Sequence, residues 1–182
     1  IQGHGIFTED AVERRNKIDG NLVLHIRNPI WGSQLKNHEQ VGLHDGGPSG
    51  FWISNPDNIV TNNVAADCLA FGFWLAYPDQ PWGDHQDYIH PDGFEYNPNR
   101  ELFGEFDNNT AHSNRRRGIM LDLAESSNEG DVNGTQYYST VSGVTPQWPY
   151  EDLRSFTMSN CTIYKSGHNG FWDRSTLPNT KS

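Results

Sequence analysis

Apolar residues along this chain come in short bursts rather than at helical spacing. The bursts "GIFTE" (5–9), "GFWIS" (50–54), "GFWLA" (72–76), "GIMLD" (118–122) and "GFWDR" (170–174) each begin with Gly and run through large apolar side chains. No window sustains apolar positions at i, i+3, i+4 and i+7, and Gly, Pro and Asn interrupt every stretch long enough to form a helix, so strands are expected. A second module recurs between the bursts, as "KIDGNLVLHI" (17–26), "NIVTNNVAAD" (58–67), "GEFDNNTAHSN" (104–114) and "SFTMSNCTIYKS" (155–166). Aligning these modules superposes Asn21, Asn63, Asn109 and Asn160. The segments 27–48, 77–101 and 123–153 interrupt the repeat as insertions.

A period of about 22 residues, made of short strands with variable loops inserted at recurring places, predicts a solenoid. The expected fold is all-β: one right-handed parallel β-helix over residues 1–182, pectate-lyase-like in architecture, with coils stacked about 4.8 Å apart. The recurring Asn has two physical explanations. Its amide can bond the equivalent residue one coil above and below, satisfying polar groups inside a turn; alternatively, Asn simply tolerates the left-handed turn conformation.

Strand alternation divides each burst between two faces. Ile6, Phe51, Phe73, Ile119 and Phe171 share the expected interior with Thr8, Ile53, Leu75, Leu121 and Asp173. Phe7, Trp52, Trp74, Met120 and Trp172 form an outward column with Glu9, Ser54, Ala76, Asp122 and Arg174. That column is either a platform on which pyranose rings stack, through Trp52, Trp74 and Trp172, or an outer core covered by the insertions.

Composition narrows the partners. Thirteen basic and twenty-three acidic residues give a formal charge of −10, which repels nucleic acid and anionic membrane. Arg115, Arg116 and Arg117 are the one basic run, read as a solvated turn. No apolar run reaches the roughly 20 residues of a membrane span. The chain opens at Ile1 without Met and reads as an internal segment. Cys68 and Cys161 are too few for a disulfide framework or a zinc site and are read as buried, unpaired thiols. The sequons Asn108-Asn109-Thr110, Asn133-Gly134-Thr135 and Asn160-Cys161-Thr162 point to secretion, the last being expected in the interior.

Candidate chemistry clusters near the outward column. Asp122 and Arg174 would lie one coil apart, as a catalytic pair or an ordinary salt bridge. Glu9 and Asp10, together with His112 and His168, complete the catalytic candidates; His4 and Arg117 join the tryptophans as substrate contacts. Glu9 is too far from Asp122, at roughly 14 Å over three coils, to act as its direct partner in glycoside hydrolysis. Glu9, Asp10 and Glu13 are close enough in sequence to share Ca²⁺ through hard oxygen ligands, although no EF-hand spacing is present. A solvated acidic turn explains the same residues.

The strings "GHGIFTEDAVE", "GNLVLHI", "SGFWISNPDNIVTNNVAA", "FGFWLAYPDQP", "LFGEFDNNTAHSN" and "GHNGFWDR" together resemble the β-helix region shared by the cell-migration-inducing hyaluronan-binding protein, the transmembrane cell-surface hyaluronidase and the fibrocystins. The resemblance runs from about residue 3 to 174. It implies a parallel β-helix belonging to a larger cell-surface or secreted protein, and either a hyaluronidase-like module acting on an acidic polysaccharide such as hyaluronan or a non-catalytic ectodomain module. A β-helix polysaccharide lyase is the third reading. Where the family carries Gly after its Glu-Asp pair this chain has Ala11, so the turn around Glu9 and Asp10 is expected to differ.

Overall fold

The computed structural model describes residues 1–28, 47–91, 93, 95–122, 137 and 156–173. Thirteen strands in this part form three parallel sheets: β1 (Ile6–Phe7), β2 (Lys17–Asp19), β3 (Leu22–Leu24), β4 (Ser49–Ile53), β5 (Ile59–Thr61), β6 (Val64–Ala66), β7 (Phe71–Leu75), β8 (Glu105–Asp107), β9 (Thr110–His112), β10 (Arg117–Leu121), β11 (Met158–Ser159), β12 (Thr162–Tyr164) and β13 (Phe171–Asp173). The first sheet has the order β1-β4-β7-β10-β13, the second β11-β8-β5-β2 and the third β12-β9-β6-β3. Every third strand in sequence is therefore a neighbour in space. That is the topology of a parallel β-helix, with one strand of each sheet per coil.

The register follows the bursts residue by residue. Ile6, Phe51, Phe73, Ile119 and Phe171 stack in one column, and Phe7, Trp52, Trp74, Met120 and Trp172 in the next. Phe51, Phe73, Ile119, Ile53, Leu75 and Leu121 join Ile18, Val60, Phe106, Val23, Ala65 and Ala111 in one buried cluster. Each coil thus wraps apolar side chains from three sheets around a common axis, which offsets the entropy of ordering so many short strands.

The burst glycines have a packing cause. A Cβ at Gly50 would lie 2.7 Å from the Gly72 carbonyl oxygen and 3.0 Å from the Ala65 Cβ; at Gly72 it would lie 2.6 Å from the Gly118 oxygen and 3.0 Å from the Ala111 Cβ. The first and third sheets come so close at this level that only Gly fits.

Both explanations of the recurring Asn are realised, at adjacent positions. Asn63 Oδ1 accepts from the Asn21 backbone N–H and Nδ2 at 2.9 Å each, and Asn109 Oδ1 accepts from the Asn63 backbone N–H at 3.0 Å and its Nδ2 at 3.1 Å. One residue earlier, Gly20, Asn62, Asn108 and Asn160 all have positive φ, between 52° and 71°. Asn160 therefore belongs to this left-handed column, and Thr162 pairs with Thr110, which puts Cys161 at the ladder position. The expected alignment was one residue out there, and Asn160 is exposed rather than interior.

A further pair not read from the sequence, Asn16 and Asn58, repeats the ladder geometry at the entrance to the second sheet. Cys68 and Cys161 are both free thiols; Cys68 is buried as expected, whereas Cys161 is half-buried. Among the described residues no helix is long and apolar enough to cross a membrane.

Candidate functional site

The outward tryptophan column is covered at its centre. Trp52 is 0% exposed and Trp74 1%, and they pack edge-on at 4.5 Å between ring centroids in a second apolar cluster with Ala70, Phe71, Ala76 and Met120. Trp82, from the segment 77–101, lies against this cluster, its ring 6.0 Å from Trp52. Trp52 and Trp74 thus offer no face to a sugar ring, because an indole buried in a packed layer gains more from apolar neighbours than a solvated platform would. Trp172 remains half-buried at the edge of the layer.

At that edge four of the expected residues meet, Trp74, Arg117, Asp122 and Trp172. Trp172 Nε1 donates to Asp122 Oδ2 at 3.2 Å, and Trp74 Nε1 donates to the Asp122 carbonyl at 2.7 Å. The Arg117 guanidinium lies 4.5 Å from the Trp172 ring centroid and 5.8 Å from that of Phe71, and its Nε donates to Asn169 Oδ1 at 3.4 Å. Arg117 is only 2% exposed and Asp122 1%. Arg117 therefore serves as a cation–π strut between aromatic rings, which corrects its reading both as a solvated turn and as a cationic contact for a polymer. Only Arg115 of the basic run is exposed; Arg116 is half-buried, and burial lowers its pKa. Arg174, and with it the pair expected with Asp122, lies outside the described residues.

His4 packs, half-buried, against this layer. Its ring stacks on Phe7 at 5.3 Å and tilts against Trp52 at 4.9 Å, while the Ser49 backbone N–H donates to its Nδ1 at 3.1 Å. Burial lowers its pKa to about 4, so it is neutral at pH 7 and presents no charge to an anionic ligand. His112 stands on the third sheet, stacked on Tyr164 at 4.8 Å, and His168 is exposed in the turn before β13. These two histidines sit apart from the acidic turn and from each other.

The acidic turn after β1 brings Asp10, Glu13 and His85 together. Asp10 is 6% exposed, and its Oδ2 accepts from His85 Nδ1 at 2.8 Å. The two residues are 75 positions apart in sequence. Glu13 Oε1 accepts from the Asp10 backbone N–H at 3.1 Å, and the Trp82 backbone N–H donates to the Asp10 carbonyl at 3.1 Å. The Asp10 hydrogen bond, with the charges of Asp10, Glu13 and Asp84, raises the His85 pKa above its ordinary value. His85 nevertheless keeps 49% of its side chain in solvent.

A carboxylate holding one ring nitrogen of a half-exposed histidine fixes the tautomer and leaves Nε2 for proton transfer. Ala11, next in the chain, adopts φ 69° and is fully buried, its carbonyl accepting from Asn55 Nδ2 at 2.7 Å. Ala11 thus takes the left-handed conformation that Gly adopts more readily, at a cost of about 1–2 kcal/mol for the Cβ.

Segment 77–101 is pinned here by further pairs. Arg14 donates to Glu101 at 2.7 Å and lies 5.4 Å from the Tyr96 ring centroid, and Asn55 Nδ2 donates to Tyr96 Oη at 2.6 Å. Gly83, φ 57°, allows the approach, since a Cβ there would lie 2.4 Å from Asp10 Oδ1.

Of the candidates, then, Asp10 and Glu13 meet, Glu9 adjoins them half-buried in the chain, and Asp122 belongs to the other end of the sheet. Sequence reading missed His85 and Trp82. The available signal was "WGDH" (82–85), an aromatic residue and a histidine within a polar insertion. The Ca²⁺ expectation finds no converging cage: among the described residues no three His, Cys, Asp or Glu side chains gather as a metal site. The thiols are equally unsuited to nucleophilic work, burial pushing Cys68 up to about 12 and Cys161 above its ordinary value.

Three parallel sheets, each giving one strand to every coil, define this as a parallel β-helix protein. The chain belongs to the CEMIP beta-helix family, whose profile matches residues 1–119. It is similar to fibrocystin-L of Mus musculus, 33% identical over 125 residues covering 66% of this chain and 2% of the relative. It is likewise similar to the cell migration-inducing and hyaluronan-binding protein of Mus musculus, 30% identical over 200 residues covering 94% of this chain and 14% of the relative. Cell surface hyaluronidase CEMIP2 of Homo sapiens is 25% identical over 199 residues, covering 94% of this chain and 14% of the relative. The chain thus spans a small part of the length of each of these curated relatives.

Proposed function

We propose that this β-helix handles an acidic polysaccharide of the hyaluronan type outside the cell, at the junction of the acidic turn and segment 77–101. The observation that carries the reading is the Asp10–His85 contact beside Glu13, made by an insertion folding back on the first coil. The names of two relatives, hyaluronan-binding protein and cell surface hyaluronidase, supply the substrate class.

In this reading Asp10 accepts from His85 Nδ1 and orients the ring, and His85 Nε2 gives a proton to the leaving glycosidic oxygen. Its raised pKa keeps more of the imidazolium present near neutral pH, and that positive charge also attracts a uronate carboxylate in an otherwise acidic surface. Glu9 or Glu13 activates the attacking water. A proton donor and a base on opposite sides of the bond are what glycoside hydrolysis requires. A divalent cation such as Ca²⁺ is a second way to offset the formal charge of −10.

The test is cleavage of long hyaluronan by the intact parent protein, followed by product size, with and without chelator. His85→Gln should lower turnover by about 100-fold or more, the usual scale for a general acid. A product absorbing in the ultraviolet would indicate elimination instead. Burial of Trp52 and Trp74 favours a second reading, a non-catalytic spacer or binding module, because it removes two-thirds of the expected stacking platform. Unchanged turnover in His85→Gln would select that reading.

A further inference from the structure

We infer that the corner between the second and third sheets is a single N-glycan acceptor, for which Asn108 and Asn160 compete. Gly20, Asn62, Asn108 and Asn160 occupy one left-handed turn position in successive coils. Two of these rungs complete a sequon, Asn108-Asn109-Thr110 and Asn160-Cys161-Thr162, whereas Asn62 is followed by Asn63 and Val64. Asn108 and Asn160 are both exposed, and Thr162 is exposed on the strand that follows. The acceptor is thus exposed in both sequons, and the hydroxyl residue is exposed in one, Thr162, and half-buried in the other, Thr110.

The amides are held but not used up. Asn108 Nδ2 donates to Asn62 Oδ1 and Asn160 Nδ2 to Asp107 Oδ1, each at 2.7 Å. A primary amide has a second N–H, and in glycosylation that hydrogen is the one replaced. Nδ2 bonds to C1 of the sugar of a lipid-pyrophosphate-linked oligosaccharide, the C1–O bond breaks, the lipid pyrophosphate leaves with the bonding pair, and the amide gives up one proton. The remaining N–H keeps the bond to the coil below.

Spacing imposes the competition. The Asn108 backbone N–H donates to the Ser159 carbonyl at 3.1 Å, so the two turns are in direct contact, about 4.8 Å apart as in any parallel ladder. A branched glycan core is wider than one rung. Two cores rooted on consecutive rungs would collide with each other and with the coil edges, so a folded, exported molecule carries one.

The experiment is glycopeptide mapping of the intact chain secreted from a eukaryotic host, reading fractional occupancy at Asn108 and Asn160. Thr110→Val and Thr162→Val each remove one sequon without disturbing the left-handed Asn. The expected result is occupancies summing to about one in the wild type, with removal of one sequon raising occupancy at the other. Near-full occupancy at both, occupancy at neither, or no response of one site to loss of the other would each overturn the inference. None of these outcomes depends on polysaccharide activity.

Discussion

The stacked coils and segment 77–101 are fastened in different ways. In the coils one bond is repeated rung after rung: Asn21 bonds to Asn63 and Asn63 to Asn109 by the same atoms, as Phe51 stacks on Phe73 at 4.5 Å. The segment is held by pairs that occur once, Asp10 with His85, Arg14 with Glu101 and Asn55 with Tyr96. The Asn bonds of the coils are neutral, part-buried between Asn21 and Asn63 and buried between Asn63 and Asn109, while the ion pairs of the segment keep 8–49% of their side chains exposed. Repetition makes the coils a scaffold tolerant of loops, whereas unique and partly solvated pairs can hold ionisable groups ready for chemistry.

Three substitutions probe that difference. Trp74→Ala, in the layer between coil and segment, has the largest expected effect, a loss of about 3–5 kcal/mol from the cavity and the lost bond to the Asp122 carbonyl. Equilibrium urea unfolding measures it, and a loss under about 1 kcal/mol would mean the layer adds little to the fold. Asn63→Ala should cost about 1–3 kcal/mol, since it strips the acceptor from two Asn21 donors and removes the Nδ2 donor from Asn109 Oδ1 and from the Ile18 carbonyl. The same unfolding experiment on Asn62→Gly should show a change of only a few tenths of a kcal/mol, because that exposed rung already has positive φ. Equal effects at the two sites would erase the distinction between ladder and turn positions.

The smallest effect is a pH dependence. Because Asp10 raises the His85 pKa in the folded state, the pair stabilises fully below the unfolded value near 6.5 and fades as pH rises through the higher folded value. Asp10→Asn should return the His85 titration towards its ordinary position, read by NMR of the imidazole protons. An unmoved titration would show that Asp10 does not govern His85.

Much of the periodic part was readable because a solenoid writes its geometry into recurring residues. The bursts gave the register of the first sheet, and alternation separated Phe51 and Phe73 from Trp52 and Trp74. Asn160 was misplaced by one residue because Asn suits both the ladder and the left-handed turn, and only the pairing of Thr162 with Thr110 tells them apart.

The site was far less legible. Asp10 and Glu13 were visible as a short acidic turn, but His85 is 75 residues from Asp10 and belongs to no repeat. Arg117 looked like one of three solvated charges until Phe71 and Trp172 were seen on either side of it.

The sequence alone therefore determined the coil: its period, its inward and outward columns and its need for Asn at the turns, all of which depend on contacts that recur at fixed spacing. Tertiary structure decided what covers the outward column and which ionisable groups meet. Those outcomes depend on where each insertion folds back, and contacts that occur once leave no period in the chain.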